Sequence, residues 1–405
     1  MCNIKKMSDA EEVVESDSDS DESVSSDSSD SEDDTNSGDN PNTSEVTPGN
    51  ANDETDSEED EVVKAIRRER EKSSEHPPDI HVEDYVVDIS FSPTNPIIAL
   101  ATITGDVLVY KYTNESVEVV NTLELHTKAC RDIEFSEDGE TLFSSSKDKS
   151  IMLSDVNTGK LKQFYDNAHE EPVYSLLVMD ENMLASGDDG GTVKLWDIRQ
   201  KEAICSVKEV DDYVSCMITT EVQKYLVCAS GEGCITSIDL ATQRLHIQSE
   251  MYEHELTCMA TVKNESKLLV GSANGVTYVF NWGEFGYHSD EYPGPKQAIN
   301  CMVPITENIV VNAGEDGVLR GVHFFPQRHL GVVGQHRFTV ESLDISHDGE
   351  FIASCSSDQV IKFWNIRYFE EITVDGAKKA KKREMNHNLP SSKHTNASDF
   401  FSGLA

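Results

Sequence analysis

One apolar run recurs at constant intervals through the middle of this 405-residue chain. Six copies of the run end 42 residues apart, at Asp155, Asp197, Asp239, Asn281, His323 and Asn365. A seventh, earlier copy ends near Lys111, which lies 44 residues before the first of these. A fixed period of this length is typical of repeat architectures, so the chain between about residues 80 and 372 is expected to form one repeat domain.

Each repeat contains short segments with the composition of β-strands. In the third repeat these are residues 173–178, 183–186 and 193–197, which are rich in Val, Leu and Ser and too short for stable helices. Turn residues follow the second segment at, or within one residue of, the same place in three repeats, as Asp189-Gly190, Asn274-Gly275 and Asp316-Gly317. Hairpin turns need positive φ angles, which Gly and Asn adopt readily. The pattern predicts an all-β domain with four short strands in each repeat.

A period of 42 residues with strand ends such as Trp-Asp, Phe-Asn and Trp-Asn resembles the blade of a WD-repeat β-propeller. The resemblance implies a single seven-bladed propeller over residues 80–372, in which both neighbours stabilise each blade. An open β-solenoid is the alternative, but its repeats are much shorter. Because the last repeat has little room for a fourth strand after Asn365, we expect residues 80–83 to complete that blade and close the ring.

Residues 1–62 carry 22 acidic and 2 basic side chains, in a chain whose formal charge is −41. Alternating Ser and Asp leaves little apolar surface to bury, so residues 1–79 are predicted to be a disordered acidic arm. The arm is interpreted as a solubilising tail or as a docking segment for basic ribosomal or chromatin proteins, and its serines are candidate phosphorylation sites. The negative charge argues against general nucleic-acid binding, because phosphates would repel the protein.

Residues 373–405 are predicted to form a flexible basic tail. It contains a candidate nuclear-import cluster, because five positive charges in a flexible segment can lie along an acidic receptor groove: Lys378, Lys379, Lys381, Lys382 and Arg383. A solvated tail without a receptor is the alternative interpretation. Near the end, Phe400, Phe401 and Leu404 indicate a short linear motif that docks on a partner or on the ring.

Motifs of common enzyme, nucleotide and zinc sites do not occur in the sequence. The nine cysteines include no Cys-x-x-Cys pair, and five of them lie in apolar stretches, namely Cys130, Cys216, Cys228, Cys258 and Cys355. They are interpreted as reduced core thiols of a nuclear or cytosolic protein. With no apolar run of 18 residues, the chain is predicted to be neither secreted nor membrane-spanning, and no metal, cofactor or enzymatic activity is expected.

WD-repeat blades often contain a buried series of His, Ser or Thr, Asp and Trp, and this resemblance assigns such sets here. The last repeat has His336, Ser354, Asp358 and Trp364, and the third has His169, Ser186 and Trp196 with Asp189 one residue out of register. Partial sets are His126 with Asp148, and His254 with Asn274. A hydrolase that uses His336 and Ser354 is the alternative. A structural role is expected instead, because a buried indole N–H and imidazole require the same partners.

The outer part of the fifth repeat carries two prolines and four aromatic side chains, Trp282, Phe285, Tyr287 and Tyr292. These residues are expected either to protect an outer strand edge or to form a patch that contacts a partner.

A narrower resemblance is carried by several segments together. They are the Phe-Asn-Trp-Gly run at residues 280–283 followed by Ser-Asp and Pro-Gly, the acidic Ser-rich start, the basic cluster and the Asp-Phe-Phe-Ser-Gly-Leu ending. Together they resemble the WD repeat-containing protein 55 family. The resemblance implies a nuclear and nucleolar protein concerned with the production and processing of ribosomal RNA. We expect this protein to be a monomeric, non-catalytic scaffold. Its partners would be other proteins rather than nucleic acids or membranes.

Two repeat ends favour a different function. Residues 196–199 (Trp-Asp-Ile-Arg) and 364–367 (Trp-Asn-Ile-Arg) resemble the blade ends of propellers that serve as substrate receptors of cullin-4 ubiquitin ligases. This resemblance makes Arg199 and Arg367 candidate contacts for the ligase adaptor. An arginine two places after aspartate is also common in ordinary blades.

Overall fold

The computed structural model describes residues 76–220 and 222–369. The described residues belong to one compact unit of the chain. They form 28 β-strands and one 3-10 helix, Arg367–Phe369. Residues 1–75 of the acidic arm, and the whole basic tail with its import cluster and terminal aromatic residues, lie outside the described residues.

The strands group into seven sheets, which are the blades of a propeller. Blades one to three contain β2 (Val86–Phe91), β3 (Ile97–Thr102), β4 (Asp106–Tyr112), β5 (Val117–Glu124), β6 (Cys130–Phe135), β7 (Thr141–Ser146), β8 (Ile151–Asp155), β9 (Leu161–Tyr165), β10 (Val173–Val178), β11 (Met183–Asp188), β12 (Thr192–Asp197) and β13 (Ala203–Lys208). Blades four to six contain β14 (Val214–Ile218), β15 (Tyr225–Ser230), β16 (Ile235–Asp239), β17 (Arg244–Gln248), β18 (Leu256–Val262), β19 (Lys267–Ser272), β20 (Val276–Asn281), β21 (Asp290–Pro293), β22 (Ile299–Pro304), β23 (Ile309–Gly314), β24 (Val318–Phe324) and β25 (Gln327–Gln335). Blade seven contains β26 (Val340–Ile345), β27 (Phe351–Ser356), β28 (Val360–Asn365) and β1 (Ile80–His81).

The blades form a closed ring of antiparallel four-stranded sheets. The first strand of each blade packs against the first strand of the next, and β26 of blade seven contacts β2 of blade one. The predicted all-β seven-bladed propeller is therefore confirmed. We call one end of the ring the upper face. It carries the loops that lead into each innermost strand and the loops between the second and third strands of each blade. The opposite end, with the remaining loops, is the lower face.

The start of the domain completes blade seven, as the sequence predicts. Strand β1 pairs with β28, with Ile80 opposite Ile361 and His81 opposite Val360. The strand is only two residues long, and residues 82–83 continue as loop. Because Ile80 is buried, the pairing both covers the edge of β28 and adds an apolar side chain to the core between blades seven and one.

The hydrophobic core lies between blades rather than inside any one blade. Between blades seven and one, for example, the rings of Phe91 and Tyr112 pack on Phe363, with centroids 6.3 and 5.7 Å away. Each of the other six interfaces has a comparable cluster built from two neighbouring blades. A buried side chain of this size contributes roughly 1.5–3 kcal/mol, so the closed ring is the stable unit.

Every innermost strand is bulged at its second residue. A bulge leaves one residue out of the ladder and redirects its side chain. The seven bulged residues are Val87, Arg131, Tyr174, Ser215, Thr257, Asn300 and Glu341. All of them line the upper end of the central channel, so the bulges determine which side chains surround its mouth.

Candidate functional site

In blade seven, four side chains form one hydrogen-bonded series. His336 Nε2 lies 2.6 Å from Ser354 Oγ, and its Nδ1 lies 3.1 Å from Asp358 Oδ2. The Trp364 Nε1–H donates to the same serine oxygen at 2.8 Å. Burial lowers the pKa of His336, so the ring is neutral at pH 7 and its Nδ1–H donates to Asp358. Ser354 has no exposed surface, and its hydroxyl oxygen is bonded to both His336 and Trp364, which argues against the hydrolase alternative.

Blade three has the same arrangement, but with a different aspartate from the predicted one. His169 Nε2 lies 2.6 Å from Ser186 Oγ, which also accepts the Trp196 Nε1–H at 2.8 Å. The partner of the histidine Nδ1 is Asp188 Oδ2, at 2.9 Å. The assignment of Asp189 to this series was therefore wrong.

The turn after β11 explains why the aspartate differs. In blade seven the carboxylate that binds the histidine also accepts the backbone N–H of Val360 and so caps its own turn. In blade three the corresponding position is Gly190, and Asp188 caps the turn from two residues earlier. Asp189 points elsewhere and accepts a hydrogen bond from Arg131 at 2.5 Å.

The two partial sets have different outcomes. In blade two, His126 Nε2 lies 2.9 Å from Ser144 Oγ, and its Nδ1 lies 3.3 Å from Asp148 Oδ2. In blade five, His254 is exposed, and Asn274 caps its own turn instead of binding the histidine. The expected pairing of His254 with Asn274 was therefore wrong.

The aromatic residues of blade five do not form an exposed patch. Phe285 has no exposed surface, Tyr292 is 9% exposed, and the Trp282 ring packs edge-on against Phe285 with centroids 5.3 Å apart. Only Tyr287 of the four is well exposed, at 61%. The patch prediction was therefore wrong for Phe285 and Tyr292. Strand β21 is short and ends at Pro293, which lacks an N–H, and these features favour protection of the edge.

The two candidate adaptor contacts, Arg199 and Arg367, lie just beyond third strands, at the lower face. Arg199 donates to Asp197 through Nε and Nη2, at 2.8 and 2.7 Å, and Arg367 pairs with Glu350. The hydrogen bonds from Arg199 hold the pKa of Asp197 well below its usual range. Both arginine side chains are about two-thirds exposed, at 67% and 64%. Each guanidinium therefore faces solvent while a neighbouring carboxylate orients it.

A ladder of side chains borders the upper mouth of the channel, which opens into a cavity of about 550 Å³. The Arg131 guanidinium lies 5.1 Å from the centroid of the Tyr174 ring, and that ring lies 4.6 Å from the Tyr213 ring. The Tyr213 O–H donates to Glu255 at 2.9 Å. Sequence reasoning missed this ladder, in which Arg131 and Tyr174 are the bulged residues of successive innermost strands.

On one side of the channel, carboxylates connect neighbouring blades. Four carboxylates accept a backbone N–H of the next innermost strand at 2.6–2.9 Å: Asp344 from Phe91, Asp88 from Ile133, Asp132 from Leu176 and Glu134 from Val178. Burial raises the pKa of Asp344 to about 7 and that of Glu134 to about 8. This carboxylate half therefore contains acidic groups that gain or lose protons near neutral pH.

On the other side, neutral side chains make the corresponding connections. They donate to backbone carbonyls of the next blade: Ser175 to Val214 and Asn300 to Val340, both at 2.9 Å, Ser215 to Leu256 at 2.6 Å, and Thr257 to Ile299. Three thiols line the same half of the wall, those of Cys216, Cys258 and Cys301. Burial raises the pKa of Cys258 to about 12, so it is a neutral thiol at physiological pH. We call this side the neutral half.

Within the described ranges, no group of three or more His, Cys, Asp or Glu side chains is placed to hold a metal ion. No helix in this part of the chain has the length and apolar composition of a membrane span. The eight cysteines that the structure describes are all free thiols.

Comparison with known proteins extends over the whole propeller. The model of the WDR55 family matches residues 77–369. The WD repeat-containing protein 55 homolog of Aedes aegypti is 55% identical over 351 residues, which cover 86% of this chain and 75% of the relative. The homologs of Drosophila willistoni and Drosophila melanogaster are 49% and 48% identical, cover 90% of this chain, and are themselves covered over 73% and 74%. A match along the complete ring, at about half of all aligned positions, means that the chain belongs to the WD repeat-containing protein 55 family.

Proposed function

We propose that this protein is a non-catalytic scaffold that acts in the nucleolus and nucleus in the production and processing of ribosomal RNA. One observation carries the scaffold part: the histidine and serine side chains of the His–Ser–Asp–Trp series are buried inside their blades, whereas a rigid ring presents two broad loop faces. WD-repeat propellers generally mediate protein–protein interactions. Loops on a rigid ring lose little conformational entropy when they bind, so several partners can be held at once.

The nucleolar part of the proposal rests on membership of the family and on the tails. The acidic Ser-rich arm has the charge to bind basic ribosomal proteins, and the cluster at residues 378–383 has the charge of an import signal. The expected location is the nucleolus and nucleus, with a cytoplasmic fraction.

Depletion of the protein followed by measurement of precursor ribosomal RNA tests this function. Depletion is expected to change the precursor levels, and the intact chain is expected to restore them. A chain with Gln at the five basic positions of residues 378–383 is expected to stay cytoplasmic and to restore them poorly. The matched control replaces the five basic residues among positions 64–72, and it is expected to behave like the intact chain. Unchanged precursor levels after depletion would contradict the proposal.

A second candidate function is substrate recognition for a cullin-4 ubiquitin ligase. It is favoured by the exposure of both Arg199 and Arg367 at the lower face. A chain with Arg199→Ala and Arg367→Ala is expected to lose co-purification with the ligase adaptor if this function is correct. Arg244→Ala, an exposed arginine on an outer strand, is the matched control. Co-purification that persists in the double variant would remove the basis for this candidate.

A further inference from the structure

The loops of the upper face divide into two halves of very different charge. The six loops of blades three to five contain eleven Asp and Glu residues and no Lys or Arg: residues 166–172, 189–191, 209–213, 231–234, 249–255 and 273–275. The other eight loops contain six acidic and five basic residues: residues 82–85, 103–105, 125–129, 147–150, 294–298, 315–317, 336–339 and 357–359. We call the first set the acidic sector. Its charge is a local property of the face, because the loops around the rest of the ring are nearly balanced.

Few cations of the ring approach the acidic sector. In the described part of the chain, Arg131 pairs with Asp189 at 2.5 Å, Lys149 lies 4.0 Å from Glu171, and Lys208 lies 3.4 Å from Asp211, whose side chain is 91% exposed. Glu253 and Glu255 are also exposed. Concentrated exposed carboxylates raise the local concentration of cationic groups, so this sector attracts positively charged segments.

Aromatic rings lie beside these carboxylates. Tyr174 and Tyr213 stack at the mouth of the channel, and the Arg131 guanidinium already lies over one of the two rings. This contact shows that the local geometry accepts a guanidinium on a tyrosine face. The adjoining cavity wall includes Met259 and Met302, which suit the aliphatic stem of an arginine or lysine.

We propose that the acidic sector, centred on Tyr213, is a docking surface for an arginine- and lysine-rich segment of a partner protein. Carboxylates of the loops pair with the charged groups, the tyrosine rings stack on guanidinium planes, and the cavity receives one side chain. The inference rests on the scaffold part of the proposed function, because the partner is a protein. The inference does not depend on the proposed role in ribosomal RNA production and processing.

The basic cluster of this chain is the other possible occupant. The last described residues leave the ring at the lower face, where Arg367 pairs with Glu350 in the loop between β26 and β27. The last described residues therefore lie at the face opposite to the acidic sector. This placement favours a segment of another protein over the tail of the same chain.

A peptide-binding measurement on the purified full chain tests the proposal. The probe is a fluorescein-labelled peptide of alternating arginine and glycine, and binding is followed by fluorescence anisotropy at two salt concentrations. Neutralising three sector carboxylates by Asp211→Asn, Glu253→Gln and Glu255→Gln is expected to weaken binding about tenfold. Higher salt is expected to reduce this difference, because exposed charge pairs are screened.

The matched control neutralises three exposed carboxylates in the other eight loops of the upper face, by Glu83→Gln, Asp84→Asn and Glu315→Gln. It is expected to change affinity less than twofold. The acidic arm is present in every chain, so its background binding is the same in each measurement. Equal losses in both triple variants, or no binding by the unmodified chain, would overturn the proposal. Binding that appears only after the five basic residues at 378–383 are replaced by Gln would assign the surface to the tail and would also overturn it.

A second pair of variants tests the aromatic contribution. Tyr213→Ala is expected to weaken binding about fivefold, whereas Tyr213→Phe keeps the ring and is expected to bind like the unmodified chain. Thermal unfolding of each variant checks that the ring is intact. The same loss in both variants would mean that the hydroxyl, and not the ring, carries the contact, which contradicts the proposed stacking. Because the assay uses purified protein, its outcome is separate from any effect of depletion on ribosomal RNA.

Discussion

The carboxylate half and the neutral half of the channel wall hold neighbouring blades together with opposite hydrogen-bond chemistry. No β-ladder joins one blade to the next, and side chains of the innermost strands supply hydrogen bonds between neighbouring blades. From blade seven through blade three, carboxylates accept N–H groups, and around the remainder hydroxyl and amide groups donate to carbonyls. Each of the seven interfaces has at least one such bond. Neighbouring blades can therefore be joined by either of two kinds of hydrogen bond, and only the kind that uses carboxylates responds to pH.

The largest expected effect is the pH dependence of stability that the carboxylate half produces. Burial raises the pKa of Asp344 to about 7 and of Glu134 to about 8, so the folded protein holds these protons more tightly than the unfolded chain. Their contribution to stability is therefore present at low pH and is lost as pH rises through the folded pKa values. The free energy of unfolding is expected to be roughly 2–4 kcal/mol smaller at pH 8.5 than at pH 6. Urea denaturation followed by circular dichroism measures this, and equal stability at the two pH values would contradict it.

Replacing the ionisable groups of Asp344 and Glu134 should remove the difference in pH dependence between the carboxylate half and the neutral half. Asp344→Asn with Glu134→Gln keeps an acceptor oxygen for the N–H groups of Phe91 and Val178 but removes the titration. The double variant is expected to exceed the unmodified protein in stability at pH 8.5 by about 2 kcal/mol and to show a flatter pH profile. Ser175→Ala, on the neutral half, is the control and should leave the slope unchanged. An unaltered slope in the double variant would place the titration on other groups.

A smaller effect, independent of pH, is expected on the neutral half. Ser215→Ala removes the bond to the Leu256 carbonyl and should cost about 1 kcal/mol at both pH 6 and pH 8.5. Ser215→Thr is the matched control, because blade five uses Thr257 at the equivalent position. The thermal midpoint of the threonine variant is expected to match that of the unmodified protein. A pH-dependent loss in the alanine variant would contradict the division of the wall into two chemistries.

The last expected effect concerns the chemical reactivity of the thiols of the neutral half and involves no change in stability. Burial raises the pKa values of Cys216, Cys258 and Cys301, so almost no thiolate is present at pH 7.5. Iodoacetamide is expected to label them much more slowly in the folded protein than in urea, as measured by peptide mass spectrometry. Labelling at the same rate in both conditions would show that the wall does not desolvate them.

Several features could be predicted from particular residues, and others could not. The 42-residue spacing predicted seven blades, and the missing fourth strand of the last repeat predicted closure by residues 80–83. The carboxylate of blade three was predicted wrongly. Gly190 occupies the position that aspartate has in blade seven, and Asp188, rather than Asp189, binds His169. Of the two alternatives for blade five, the partner patch fails for Phe285, because its ring is buried between blades four and five.

By itself, the sequence determined the architecture of this protein, because strand length, turn position and repeat spacing are properties of neighbouring residues along the chain. Only the tertiary structure decided which side chains meet across blades. Asp132 and the N–H of Leu176 are 44 residues apart and belong to different repeats, so no local pattern pairs them. The raised pKa values of Glu134 and Asp344, and the charge division of the upper face, likewise exist only because closing the ring buries some carboxylates and brings others to one face.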